Sequence, residues 1–74
     1  MKIYGYSETD DKEDELLEMS EISFSVTPTE LRVLADFMRK CAEAMERHGV
    51  AFGHEHFSDF TKQKNIAPEI VVVR

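Results

Sequence analysis

Residues 26–49 read Val-Thr-Pro-Thr-Glu-Leu-Arg-Val-Leu-Ala-Asp-Phe-Met-Arg-Lys-Cys-Ala-Glu-Ala-Met-Glu-Arg-His-Gly. The reading of this stretch decides the fold. Thr27 stands at an N-cap position, Pro28 at the first helical position and Glu30 at N3, which together make a capping box. Val26 and Leu31 occupy the two positions of a hydrophobic staple. Arg47 and His48 fall in the last turn, where positive charge meets the negative end of the helix dipole. Gly49 follows at C′, where a left-handed backbone favours glycine. The spacing predicts a helix over about 28–48, a rod of about 31 Å at 1.5 Å per residue.

Leu31, Leu34, Ala35, Met38, Cys41, Ala42 and Met45 recur at helical spacing and form the expected core face. Arg32, Asp36, Arg39, Glu43 and Glu46 form the wet face, with Arg32–Asp36 and Arg39–Glu43 spaced i,i+4 for ion pairing. Val33, Phe37 and Ala44 lie beside the main stripe and widen the apolar arc to roughly half the circumference. Two readings of that flank stay open. Either the C-terminal tail folds over Phe37, or Val33 and Phe37 meet a partner, a second copy included.

Outward from the helix the chain reads as strands. Lys2 to Tyr6 is β-prone, and Ile22, Phe24 and Val26 alternate with Ser23 and Ser25, the period of a strand with one wet face. That second strand starts as early as Leu16 if a bulge near Ser20 corrects the parity of Leu17 and Met19. Residues 50–60 place Phe52, Phe57 and Phe60 without clean alternation, which suggests an irregular segment with a short strand or one helical turn. Ile70 to Val73 is β-branched without alternation, as in a strand buried on both faces or paired centrally. The expected architecture is a small two-layer α+β domain over 1–74. It has a three- or four-stranded, mainly antiparallel sheet with the long helix on one face, in the order β-β-α-(β)-β, and the way from Val26 to Ile70 allows a crossover to a parallel strand.

The chain has 74 residues and a formal charge of −6. Residues 8–21 hold eight acids against one base, a local −7, and the other sixty residues are close to neutral at +1. The acidic excess therefore belongs to one segment, an acidic loop of about 8–15 with its continuation. It is either a solvated connection or a patch for a basic partner. Backbone-gripping nucleic-acid binding and attraction to anionic membranes need the opposite charge, so neither partner is expected. No signal-like apolar segment opens the chain, its longest aliphatic run is four residues, and Cys41 is a single cysteine, which together suit a cytosolic protein.

Candidates for chemistry are few. His54 and His56 share a face if they sit on a strand and supply two metal ligands, but zinc wants at least three from protein. Glu55, Asp59, His48 or Cys41 would have to complete the set, and hydrogen-bonded, partly exposed histidines are the simpler reading. Cys41 on the core stripe reads as an inert buried thiol. The three glycines are scattered, so no phosphate-cradling loop is expected, and no serine or threonine has an activating base beside it in sequence. The chain is not expected to be an enzyme or to carry a cofactor.

The opening Met1-Lys2-Ile3-Tyr4-Gly5-Tyr6, the block from Glu21 to Arg32, the segment Gly53-His54-Glu55-His56-Phe57 and the closing Pro68-Glu69-Ile70-Val71-Val72 resemble one known family. They are similar to small bacterial immunity proteins of polymorphic toxin systems, of the immunity protein 32 type. The resemblance covers most of the chain apart from the acidic segment and residues 61–67. It implies a non-catalytic protein that binds and neutralises a cognate toxin inside the producing cell, in the manner of an antitoxin. With the localised charge, it points to Asp10, Asp11, Asp14 and Glu15 as first contacts with a basic toxin domain, and Val33 and Phe37 complete the candidate partner-binding set. The alternatives are a small homodimeric interaction protein and a metal-binding protein using His54 and His56.

Overall fold

A computed structural model describes residues 1–7, 15–63 and 68–74. The long helix, α1, runs over Pro28–His48, with the boundaries the sequence sets. The capping box is closed in both directions. The Glu30 amide donates to Thr27 Oγ1 at 3.2 Å, and the Thr27 amide donates to Glu30 Oε1 at 2.8 Å. At the other end Gly49 has φ 54° and its N–H donates to the Met45 carbonyl, a positive-φ stop that glycine takes without strain. A single 3₁₀ turn, Gly49–Ala51, then turns the chain back toward the helix.

The strands depart from the expected single sheet. β1 (Tyr4–Gly5) pairs antiparallel with β2 (Leu17–Glu18), with Tyr4 opposite Glu18. β3 (His54–His56) pairs antiparallel with β4 (Val71–Val73), with Glu55 opposite Val72. These are two separate two-stranded ribbons, and neither a common sheet nor a parallel crossover forms among the described residues. Residues 22–26 keep the alternating pattern of a strand but have no strand laid beside them among the described residues. Between β3 and β4 lies α2 (Phe57–Thr61), a turn and a half of helix that ends with Lys62 in the left-handed region.

The core takes one edge of the expected stripe, Leu34 and Cys41 with Met45 beside them, and extends past it to Phe37. Phe37 is its most buried residue, at 2% exposure, joined by Cys41, Leu34 and Phe52. Phe57, Phe60, Ile70, Val72, Ala44 and Met45 pack around them. Of the expected core stripe, Leu31 is 49% and Met38 39% exposed, and Ala35 and Ala42 are exposed as well. The physical reason lies beyond the helix: three phenylalanines in residues 52–60 supply the large apolar surface, and they dock against Phe37. Its ring meets Phe57 at 5.2 Å and Phe60 at 5.6 Å between centroids, both tilted, the geometry aromatic quadrupoles prefer. The tail thus covers Phe37. In β4 only Val72 turns toward this core while Val71 and Val73 stay exposed, so the unalternating run is wet on one face.

The ion pairing on the wet face also differs. Arg39 pairs with Asp36 at 2.6 Å, three residues back, both side chains well exposed. An exposed pair of this kind is worth at most about 0.5 kcal/mol.

Two outcomes are expected in urea or thermal unfolding. Phe37→Ala empties the centre of a thin core and costs about 3–5 kcal/mol, a large share of the stability of so small a domain. Thr27→Ala opens the capping box and costs about 1 kcal/mol, a fall in Tm of about 4–8 °C.

Candidate partner-binding surface

The side chains gathered by β3, α2 and the second half of α1 line a groove on the surface. α1 contributes Lys40, Glu43 and Arg47, β3 contributes Glu55, and α2 contributes Asp59 and Phe60. They rim a shallow groove of about 340 Å³ whose floor is Phe37, Cys41 and Ala44. Lys40 Nζ lies 5.6 Å from the centre of the Phe60 ring, within cation–π range. The rim mixes both signs of charge over an apolar floor. Such a surface can seat a side chain of a partner between its charges, with orientation set by the rim. The spacing of Lys40, Ala44 and Arg47 on one helical face is legible in sequence. Their meeting with Glu55 and Asp59 depends on the return of the tail.

One carboxylate holds the tail in this position. Glu69 Oε1 accepts the Ser58 amide and the Ile70 amide, each at 3.0 Å, and Ser58 Oγ donates to Glu69 Oε2. The start of α2 is thereby capped from eleven residues away, and the same carboxylate lies 3.5 Å from His56 Nδ1. The Ser58 hydroxyl bond is the largest influence, and together with the two amide bonds and the nearby His56 it outweighs the opposing desolvation and holds the Glu69 carboxyl below its ordinary value. Nothing local in the sequence marks Glu69 for this role, because its partner is distant along the chain.

The two histidines of interest are neighbours, with His54 and His56 rings edge-on at 5.1 Å between centroids. Among the described residues no three histidine, cysteine or acidic side chains converge to hold a metal ion. The contacts of His56 are with Glu69, whose two oxygens are already committed to Ser58 and Ile70. Cys41, on the groove floor, is 3% exposed, and burial, with a smaller contribution from the Glu55 charge, pushes its thiol above the ordinary value. A thiol held protonated is a poor nucleophile.

The partner-binding residues singled out from sequence fall into three groups. Asp10, Asp11 and Asp14 lie outside the described residues. Glu15 is exposed, and Val33 is exposed at 37%. Phe37 is 2% exposed, packed against Phe57 and Phe60, and lines the groove floor. Among the described residues no helix is long and apolar enough to cross a membrane.

A pH series checks the role of Glu69. Its folded carboxyl titrates below its ordinary value, so its contribution is complete above the ordinary value and is lost as pH falls through the lower folded one. Glu69→Gln is expected to lower the urea midpoint at neutral pH, and the gap to the unsubstituted chain should narrow as pH falls below the ordinary carboxyl range. A gap of constant size across the series would show that the charge plays no part. For Cys41, a thiol reagent is expected to react at least about tenfold faster in denaturing urea than with the folded chain.

Among known families, the model described as immunity protein 32 matches residues 21–74, well over half of the chain. No curated protein and no solved structure matches.

Proposed function

The chain belongs to the immunity protein 32 family, and on that premise we propose that it binds a cognate bacterial toxin and blocks it. The family match is the observation that carries this reading. The surface supports it in kind: a mixed-charge groove over an apolar floor suits protein recognition, and the Cys41 thiol on that floor is held protonated.

The charge distribution supports a particular mode of contact. Residues 8–21 carry −7 while the rest of the chain is near neutral, so long-range attraction of a basic partner comes from that segment alone. Among its described acids Glu15, Glu18 and Glu21 are exposed. We assign Asp10, Asp11, Asp14 and Glu15 to the encounter with a basic toxin domain and Val33 to the closer contact. The toxin is met in the cytosol of the producing cell. The matched span begins at Glu21, so Val33 falls inside it and the four encounter acids before it.

Two measurements test the reading. Expression with the toxic domain encoded beside this gene is expected to restore growth, and failure of every such pairing to protect would remove the proposal. In a binding titration, changing Asp10, Asp11 and Asp14 to Asn and Glu15 to Gln is expected to slow association by roughly tenfold or more at low salt and to flatten its salt dependence. Unchanged association rates would discard the acidic encounter surface while leaving toxin binding standing.

A further inference from the structure

Two imidazoles stand side by side on the outer face of the β3–β4 ribbon. Successive side chains of a strand alternate between faces, so His54 and His56 share one side of β3 and Glu55 takes the other. Glu55 lines the groove beside α1. The histidines therefore lie on the far side from it, next to Val73 and Val71, which stand opposite them in the antiparallel register. Those valines are 60% and 43% exposed and His54 is exposed as well, so this face opens to solvent. The backbone beneath the two rings is held at both ends. The Phe57 N–H donates to the Ile70 carbonyl at 2.8 Å, and the Arg74 N–H to the Gly53 carbonyl at 3.4 Å.

The spacing of the rings matches what one metal ion requires. Imidazole nitrogen ligates at about 2.0–2.1 Å and the ring centre lies about 1.2 Å behind it, so each centroid sits about 3.2 Å from the ion. With an angle of about 90–110° between the two bonds, the centroids are then about 4.5–5.2 Å apart. In the structure they are 5.1 Å apart. Glu69 supplies the second half of the arrangement. Its Oε2 lies 3.5 Å from His56 Nδ1, and the bonds from Ser58 and Ile70 hold the carboxylate there and keep it from ligating an ion itself. A carboxylate at one nitrogen of a metal-binding histidine keeps the proton on that nitrogen and leaves the other, here Nε2, free to bind. The His56 side chain is 40% exposed, so an ion can reach it.

We propose that His54 and His56 form a two-imidazole site for a divalent transition metal, copper(II) above the others, with Glu69 as the residue that positions His56. The choice of metal follows from the ligand count. Among the described residues no third histidine, cysteine or acidic side chain joins the pair, and zinc sites want at least three protein ligands. Copper(II) takes tetragonal sites of nitrogen and oxygen, so two imidazoles with water in the other positions suit it, and it stands highest in the divalent affinity series. The site and the groove lie on opposite faces of β3, so metal binding neither depends on toxin binding nor falls with it.

The test is a calorimetric titration of the full chain, purified without a histidine tag, with copper(II) chloride at neutral pH and glycine present as a weak competing chelator. One ion per chain is expected, with a dissociation constant of about 10 μM or tighter. His54→Gln and His56→Gln are each expected to weaken binding by at least about tenfold, and the nitrogen hyperfine pattern of the bound copper to fall from two imidazoles to one. Both side chains reach solvent, so circular dichroism is expected to stay unchanged in either variant. His48→Gln removes the histidine at the C-terminal end of α1 and is expected to leave both readings as they are. Absence of saturable binding below about 100 μM overturns the proposal. So does binding that survives both substitutions on β3, or binding that His48→Gln weakens as much as they do.

Discussion

The contact of Phe37 with Phe57 and Phe60 is the constraint on which the other elements depend. None of the pieces it joins is stable alone. A two-stranded ribbon such as β3–β4 is marginal in water, and the five residues of α2 cannot pay for their own nucleation. Even α1, with both ends capped, draws most of its stability from the face it buries. Packing three aromatic rings at one point stabilises all three elements at once, at about 1.5–3 kcal/mol for each fully buried large side chain. Glu69 then fixes the direction of the tail by tying the start of α2 to the approach of β4.

A core centred on Phe37 has a consequence for the surface. The apolar arc of α1 is wider than one short tail can cover, and the tail takes the side where its own rings fit. Leu31, Ala35, Met38 and Ala42 are what remains. The N-terminal ribbon adds to the uncovered area, because Tyr4, Tyr6, Leu17 and Met19 are all more than a third exposed. A small domain has little interior to spend, so its apolar residues end up in contact surfaces rather than in a second layer.

Three kinds of surface thus sit on one short chain: a segment carrying nearly all of the net charge, a groove with charges of both signs, and an apolar helix face. Each suits a different part of recognition. Diffuse charge speeds encounter, a shaped and charged groove gives orientation, and apolar area gives lasting association. An immunity protein has to find its toxin before damage is done and then hold it, so separating these properties is consistent with the family to which the chain belongs.

The helix was legible because its signals are local. Thr27, Pro28, Glu30 and Gly49 act within a few residues of themselves, and the structure places the boundaries where they stand. The family was legible for a related reason, since its marks are short runs of sequence. The face of the helix that enters the core was not. Leu31 and Phe37 are both apolar at helical spacing, and only the arrival of Phe57 and Phe60 from beyond Gly49 decides that Phe37 is covered and Leu31 is not. The pairing of Ile22–Val26 was not legible either, because an alternating pattern offers a strand without supplying its neighbour. Sequence by itself determined the caps, the helix, the concentration of charge and the family. Tertiary structure alone decided which apolar face is interior, because burial depends on contacts between residues far apart along the chain, and no local periodicity chooses among them.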